Sequence, residues 1–139
     1  MDKPENLNTS SKVWFDLFFN PELFKQDLYF AGNWADVRDI AAAHVKALEK
    51  EETANERILV TAGAVSNQEF IEAAKRAAAS LGIKGVQTGI KDYNPANVNS
   101  RVLYSEEKRK KILGIEMTSV DDSVKDAIAN FRDRGWIPA

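Results

Sequence analysis

The clearest structural signal lies in residues 57–69, whose sequence is RILVTAGAVSNQE. Arg57–Thr61 is a largely β-branched run, which is typical of a strand buried on both faces in a parallel sheet. A turn follows, and Ser66 and Glu69 have the spacing of a capping box at a helix start. The stretch therefore predicts a strand, a glycine-containing turn and a capped helix, which together make half of a βαβ unit.

Helical periodicity extends this unit in both directions. The helix behind the capping box is expected to reach Leu81 and to end at Gly82 in the left-handed conformation. Before the strand, a helix is predicted from Asp36 to about Lys50, with one apolar stripe that should be buried. The stripe consists of Val37, Ile40, Ala41, His44, Val45 and Leu48.

Weaker patterns predict the remaining elements. A helix capped by Ser10 or Ser11 should end before Pro21, because proline disfavours helical geometry in the residue before it. A short helix is expected over 105–113 and a last helix between Thr118 and Gly135. Short strands are expected at 28–31 and 85–89.

Composition excludes several classes of function. The 139 residues suffice for one ordinary domain, and they include no cysteine, 19 Lys and Arg, and 21 Asp and Glu. Without cysteine there is no disulfide, thiolate catalysis or cysteine metal site, and no metal site is expected. The net charge of -2 provides no general field for nucleic acid. Polar first residues and the lack of a long apolar run predict a soluble cytoplasmic protein without membrane contact.

Three polar groups could carry chemistry, but a structural role is favoured for each. His44 could be a general base, or it could donate to a backbone carbonyl. Asp36 and Asp39 could form an acid–base pair, although acids in a first helical turn also act as caps, and Arg38 should pair with a neighbouring acid. Residues 108–111, KRKK, could bind phosphate or form a solvated helix end. No catalytic residue is assigned.

An aromatic cluster near the N-terminus has two interpretations that the sequence leaves open. It could form the wall of an apolar ligand pocket or the core of a small helical layer, and a partner could cover it. Its members are Trp14, Phe15, Phe18, Phe19 and Phe24, with Phe30 and Trp34 added from the following segment.

Motifs for dinucleotide binding and hydride chemistry are missing from these 139 residues. There is no G-x-G-x-x-G run to bring a pyrophosphate to a helix N-terminus. One Tyr-x-x-x-Lys spacing occurs, at Tyr104 and Lys108, but no buried strand precedes it. We interpret it as a chance match.

Residues 36–49, DVRDIAAAHVKALE, resemble a motif of the extended short-chain dehydrogenases/reductases, the NAD-dependent epimerase/dehydratase superfamily. The likeness is greatest to the aldehyde and ketone reductase branch, which includes dihydroflavonol, cinnamoyl-CoA and methylglyoxal reductases. Further segments resemble the C-terminal part of such enzymes; these are residues 7–10, 55–63, 113–114 and 121–126. The resemblance implies an α/β fold: a partial Rossmann-type three-layer fragment with few, mainly parallel strands and about five helices. It implies a single domain over residues 1–139 that lacks the dinucleotide-binding half.

The resemblance also implies where substrate and cofactor would lie. It places Phe30 and Trp34 near the substrate, together with Asn8 and Thr9. The family's glycine motif, catalytic serine and Tyr-x-x-x-Lys pair have no counterpart, so no cofactor is expected to bind this chain alone, although NADP(H) is implied for the full-length family. Gly32 stands where nucleotide-sugar members carry a phosphate-holding arginine. A small apolar or aromatic carbonyl compound is therefore the expected ligand.

These observations lead to one main hypothesis and two alternatives. The chain would be the substrate-binding half of an NAD(P)-dependent carbonyl reductase, not redox-competent alone. A buried strand needs neighbours on both edges, so the chain would join a complementary Rossmann half or self-associate. Alternatively, it would be a stand-alone small-molecule binder or non-redox enzyme of the isomerase or cyclase type. A third alternative is a protein-interaction module.

Overall fold

The computed structural model describes residues 3–23, 27–98 and 100–137, and these form a helix-rich α/β structure. Its main elements are α1 (Thr9–Phe19), β1 (Ala31–Asn33), α2 (Val37–Glu49), β2 (Ala64–Ser66), α3 (Asn67–Leu81) and α4 (Val120–Asp133). Short 3-10 turns lie at Pro4–Asn6, Pro21–Leu23, Glu51–Thr53 and Pro95–Asn97. The helix expected over 105–113 is a single π-helical turn, Arg109–Leu113.

The chain divides into two compact units, each built from separate segments. Unit 1 comprises Met1–Ala31, Ser66–Ser100 and Val120–Ala139, and unit 2 comprises Gly32–Val65 and Arg101–Ser119. The single domain expected over residues 1–139 stays a prediction.

Unit 1 is organised around the packing of α3 on α4. The buried face of α3 is mostly alanine, which allows another helix to approach closely. Val124 and Ile128 of α4 are fully buried. Both belong to the apolar stripe that helical periodicity predicts for this helix, which consists of Val120, Val124, Ala127, Ile128 and Phe131. The buried alanines of α3 are Ala73, Ala74, Ala77 and Ala78.

The aromatic residues of α1 form part of this core. Trp14 lies 4.9 Å from Phe70 of α3 between ring centroids, and Phe15 meets Phe131 of α4 edge-on at 5.3 Å. Phe18 is fully buried. Of the two interpretations of the cluster, the helical core is therefore confirmed for these residues, whereas Phe24 lies outside the described residues.

Both ends of α3 follow the sequence prediction. The Ser66 hydroxyl accepts a hydrogen bond from the Glu69 amide, and the Glu69 carboxylate accepts one from the Ser66 amide, which completes the capping box. At the other end, Gly82 adopts φ 67° and terminates the helix.

A buried glutamine on α3 fixes the loop that follows the helix. The Gln68 side chain is fully buried, and its carbonyl oxygen accepts a 2.7 Å hydrogen bond from the Ile90 amide. Its amide nitrogen donates to the Glu72 carboxylate at 2.8 Å, which sets the orientation of the amide group. Lys75 also donates to Glu72 at 2.8 Å.

The Glu72 carboxylate gives this contact a pH dependence. Burial raises the pKa of Glu72, but hydrogen bonds from Lys75 and Gln68 and the Lys75 charge together lower that pKa below its ordinary value. A carboxyl with a lower pKa in the folded state stabilises the fold above its unfolded-state pKa, and this stabilisation disappears as pH falls through the folded-state pKa.

We therefore expect acidification to destabilise the wild-type chain more than Glu72→Gln. Urea unfolding of both proteins from about pH 6 to about pH 3 measures the difference in free energy of unfolding at each pH. Equal losses for the two proteins over this range would contradict the role given to Glu72.

The sheet differs from the expected mainly parallel arrangement. It has two strands within the described residues, β1 and β2. The Trp34 amide donates to Gly63 O, and the Asn67 amide donates to Phe30 O. The residue numbers near β2 therefore fall from 67 to 63 as those near β1 rise from 30 to 34. This is antiparallel pairing, and the parallel prediction is not confirmed. Residues 28–31 and 85–89 also do not form the short strands expected there, apart from Ala31.

The predicted strand Arg57–Thr61 is not a strand in this structure. Ile58 and Val60 pack on one side against the core of unit 2, whereas Arg57 and Leu59 are exposed. The physical reason is that strand geometry needs a hydrogen-bonding neighbour, and the described residues contain no strand beside this segment. The buried core of unit 2 consists of Ala43, Leu113 and Ile115.

The helix predicted from Asp36 to about Lys50 is present as α2, but the prediction that its apolar stripe is buried is wrong. Leu48 is 91% exposed and Val37 is 79% exposed, and Ile40 is only partly covered. The face that α2 buries instead carries Asp39 and Ala43. In unit 2, α2 therefore has a covered face that includes a carboxylate and an apolar stripe that is open.

Candidate functional site

Phe30 and Trp34 flank strand β1, and the backbone holds both against the segment around β2. In unit 1, Phe30 O accepts from the Asn67 amide at 3.0 Å, and the Phe30 side chain is 60% exposed. In unit 2, Trp34 O accepts from the Ala62 amide at 2.8 Å and from the Thr61 hydroxyl at 3.1 Å. The backbone of both predicted substrate residues is thus held by hydrogen bonds. Their contact with substrate stays a prediction.

Asn8 and Thr9 lie at the start of α1 in unit 1. Asn8 is the N-cap of that helix, and its side-chain oxygen accepts from the Ser11 amide at 2.9 Å. The sequence predicted Ser10 or Ser11 as the cap of this helix. In the structure the cap is Asn8. The structure gives Asn8 a local role in the helix start, and the substrate role of Asn8 and Thr9 stays a prediction.

The acidic pair at the start of α2 has the structural roles that the sequence favoured. Asp36 caps the helix by accepting from the Arg38 amide, and it receives two further 2.8 Å bonds from the Arg38 guanidinium. Asp39 accepts from the Thr118 amide at 2.7 Å and from the Thr118 hydroxyl at 2.8 Å. Both carboxylates are buried and saturated with donors, which is typical of structural acids.

The histidine and the basic run also have local partners. His44 Nδ1 lies 2.7 Å from Ile40 O, which is the expected backbone contact, but the side chain is exposed and does not lie in the core. Lys108 pairs with Glu56. Arg109 is buried, not solvated as expected, and it binds Glu106 at 2.8 Å and the carbonyl of Ile115.

Glu106 is the acidic centre of this basic run. Lys110 donates to it at 2.7 Å, and this hydrogen bond and charge, together with Arg109, lower the pKa of Glu106 below its ordinary value. The cations therefore neutralise local acids, which leaves little reason to assign a phosphate site.

Unit 2 contains an open groove between α2 and the extended segment 57–61. Its volume is about 390 Å³, within the range of small-molecule sites. The floor is apolar, and the rim carries a histidine, a threonine and a glutamate. The groove is lined by Ala43, His44, Ala47, Thr53, Glu56, Ile58, Val60 and Leu113. No local sequence pattern marks this groove, because it depends on contacts between segments far apart in the chain.

A second arrangement that the sequence did not reveal lies in unit 1, near Phe30. Tyr29 stacks on Tyr93 with ring centroids 5.4 Å apart, and the Tyr93 hydroxyl lies 2.8 Å from the Ser66 hydroxyl. Ser66 directly precedes Asn67, the residue bonded to Phe30 O. An exposed phenylalanine, two half-buried tyrosines and a buried serine thus belong to one region of unit 1.

The starts of α1, α2 and α3 are occupied by side chains of the chain itself. Asn8, Asp36 and Ser66 each accept a backbone N–H at the start of α1, α2 and α3. A dinucleotide pyrophosphate needs such N–H groups free, and the buried Asp36 carboxylate would repel it. These residues do not fit NADP(H). The described residues also contain no cluster of His, Cys, Asp and Glu suited to a metal ion.

Comparison with known proteins identifies the class to which this fold is similar. The crystal structure of Gre2 in complex with NADPH from Candida albicans superposes with a TM-score of 0.74 at 26% identity, covering 92% of this chain and 37% of that one. An uncharacterised oxidoreductase of Saccharomyces cerevisiae is 29% identical, over 83% of this chain and 40% of that protein. The NADPH-dependent methylglyoxal reductase GRE2 of the same yeast is 27% identical, over 94% and 37%.

The homologues are thus reductases of the extended short-chain dehydrogenase/reductase superfamily, as the motif in residues 36–49 indicated. This chain is similar to their C-terminal part. It spans at most about two fifths of the length of these curated relatives. Comparison with models of protein families gives no match. Among the described residues, no helix has the length and apolarity needed to cross a membrane.

Proposed function

We propose that this chain supplies the substrate side of an NADPH-dependent carbonyl reductase and needs a separate dinucleotide-binding part for redox activity. The substrate is a small apolar or aromatic carbonyl compound, with Phe30, Trp34, Asn8 and Thr9 on the substrate side. The named activity of the yeast methylglyoxal reductase and the NADPH complex of the Candida structure support this assignment. The proposal keeps the cytoplasmic location expected from the sequence.

The observation that carries the proposal is the open apolar face of α2. Large side chains such as Leu48 and Val37 are almost fully exposed, and each costs free energy while it faces water. Soluble proteins rarely leave such a stripe uncovered, and a partner surface would bury it. A Rossmann part beside unit 2 would cover this stripe and pair with Arg57–Thr61 in a parallel sheet.

The missing glycine motif for dinucleotide binding supports the same division of labour. Bound NADPH supplies the hydride, and a tyrosine assisted by lysine supplies the proton, in such reductases. The only Tyr-x-x-x-Lys spacing here uses Lys108, which is paired with Glu56, and Tyr104, which is exposed. The complementary part would contribute the cofactor site and the proton donor.

The proposal is tested by joining this chain to the remaining N-terminal part of the yeast methylglyoxal reductase. We expect the joined protein to oxidise NADPH in the presence of methylglyoxal or a small aromatic ketone. The chain alone and the N-terminal part alone serve as controls, and both should be inactive. NADPH oxidation by the chain alone would contradict the proposal, and so would a folded, NADPH-binding joined protein that reduces no carbonyl compound of such a panel.

Leu48→Glu tests the covered face directly. We expect it to leave the melting temperature of the isolated chain unchanged, because Leu48 is exposed there. In the joined protein it should reduce activity and stability strongly, since it would bury a charge. Lys46→Glu is the matched control, because Lys46 is exposed on the same helix but lies outside the stripe, and its effect should be small. Equal effects of the two substitutions would argue against a partner on this face.

The groove of unit 2 favours a second candidate function, a stand-alone binder of a small apolar molecule. Its volume suits such a ligand, and His44 and Thr53 at the rim could orient one polar group. This function predicts that acetophenone raises the melting temperature of the isolated chain and that Val60→Trp, which fills the groove, abolishes the effect. The same shift in both proteins would exclude the groove as the binding site.

A further inference from the structure

The hydroxyls of Ser66 and Tyr93 lie 2.8 Å apart, a geometry that allows either one to donate. Ser66 is fully buried, and its oxygen already accepts a hydrogen bond from the Glu69 amide at 3.2 Å. Its single hydroxyl hydrogen needs an acceptor, because an unsatisfied buried donor costs free energy. Within the described residues, the acceptor at hydrogen-bond distance is the Tyr93 oxygen, 2.8 Å away. With Ser66 as the donor and Tyr93 as the acceptor, the buried Ser66 hydroxyl hydrogen is satisfied.

This direction leaves the phenolic hydrogen of Tyr93 available to a further acceptor. A phenol both donates and accepts, and Tyr93 as a whole is half-buried. Stacking on Tyr29 fixes the Tyr93 ring, so that little rotamer entropy is lost when a ligand binds. Tyr29 is adjacent in sequence to the exposed Phe30, and Ser66 is adjacent to Asn67, which bonds the Phe30 backbone.

We propose that Tyr93 is a ligand-binding residue whose hydroxyl donates a hydrogen bond to the carbonyl oxygen of an aromatic substrate, while Phe30 contacts the apolar part. Ser66 is the positioning residue, because its donated hydrogen bond directs the Tyr93 hydrogen away from the protein. The carbonyl class of the ligand rests on the proposed function. The hydroxyl pair and its direction rest only on the geometry of unit 1.

The test uses the isolated 139-residue chain without NADPH and two ligands of nearly equal shape. Acetophenone carries the carbonyl oxygen, and 2-phenylpropene replaces it with a methylene group. Amide chemical shifts measured by nuclear magnetic resonance give the affinity for each ligand and locate it in the chain. We expect both ligands to shift signals around Phe30 and Tyr93, with acetophenone about 3- to 10-fold tighter, the effect of one hydrogen bond between neutral groups.

Three variants separate the roles. Tyr93→Phe keeps the ring and the stack but removes the hydroxyl, so the two affinities should become equal. Phe30→Ala, at an exposed position, should weaken both ligands by the same factor. Tyr104→Phe is the matched control, because Tyr104 is an exposed tyrosine of unit 2, and it should leave both affinities unchanged.

The proposal is overturned if wild type does not distinguish the two ligands, or if Tyr93→Phe still prefers acetophenone. It is also overturned if acetophenone shifts only signals of the unit 2 groove. These results are independent of the joined protein. If Tyr93→Phe loses the preference for acetophenone but the joined protein is inactive, the proposed function alone is rejected. If the joined protein is active but Tyr93→Phe keeps the preference, this inference alone is rejected.

Discussion

Gly89→Ala is expected to lower the free energy of unfolding by about 3 kcal/mol, whereas Gly82→Ala should lower it by about 1 kcal/mol. Both glycines have φ +67°, so both substitutions incur the same left-handed strain. They differ in their surroundings. An added Cβ at Gly82 meets nothing within 4 Å, but at Gly89 it overlaps the amide group of Gln68.

The overlap at Gly89 cannot be relieved without loss of hydrogen bonds. The end of a glutamine side chain moves easily on a surface, but Gln68 is fully buried. Its displacement removes the acceptor of the Ile90 amide and the donor to Glu72. Leaving such buried groups unsatisfied costs roughly 1–3 kcal/mol beyond the backbone strain.

Urea unfolding monitored by circular dichroism measures both variants against wild type. Gly82→Ala is the control for left-handed strain, since it shares the backbone angle and lacks the collision. If the two glycine variants lost the same stability, the fixed position of Gln68 would be wrong. In a Gln68→Ala background, Gly89→Ala should cost only the backbone strain of about 1 kcal/mol, because that background already lacks the overlap and the two hydrogen bonds.

The sequence predicted the features that depend on neighbours along the chain. The capping box of Ser66 and Glu69, the stop at Gly82 and the limits of α2 follow from interactions within one or two helical turns. The first-turn roles of Asp36 and Arg38 were accessible for the same reason. Helix periodicity also identified the buried residues of α4, because that helix has one apolar face, which packs mainly against α3.

The sequence could not predict features that depend on what lies beside an element. The apolar stripe of α2 has the pattern of a buried face, but the residues that would cover it are not among its neighbours here. Arg57–Thr61 has strand composition and no adjacent strand for the same reason. The unit 2 groove and the Ser66–Tyr93 pair arise between residues distant in sequence, and no local pattern identifies such pairs. The substrate role of Phe30 and Trp34 comes from family resemblance and stays a prediction.

Asp39→Ala is expected to lower the free energy of unfolding by about 3 kcal/mol, since it removes a charged acceptor and leaves two donors unsatisfied. The Asp39 carboxylate lies on the covered face of α2 and accepts from both the amide and the hydroxyl of Thr118. These two bonds attach the helix to residues 79 positions later in the chain. Both partners belong to unit 2, where the buried apolar core is small. Few apolar contacts are therefore available to offset the loss of the two Asp39–Thr118 hydrogen bonds.

Two milder substitutions divide this effect into its parts. Asp39→Asn retains an acceptor for the Thr118 amide and offers an amide hydrogen to the Thr118 oxygen, so the loss should be about 1 kcal/mol. Thr118→Val removes only the hydroxyl and should also cost about 1 kcal/mol. If the carboxylate acts through Thr118, the double variant Asp39→Ala with Thr118→Val should lose less than the sum of the single losses.

Urea unfolding gives the free energies, and hydrogen exchange at the Thr118 amide gives a local measurement. Exchange of that amide should accelerate strongly in Asp39→Ala and slightly in Asp39→Asn, because its acceptor is lost only in the alanine variant. Asp121→Ala is the control, since Asp121 is an exposed acid paired with Arg76, and such surface pairs contribute about 0–1 kcal/mol. An Asp39→Ala protein as stable as Asp121→Ala would show that Asp39 is not a structural acid, which would reopen the acid–base interpretation of the pair at the start of α2.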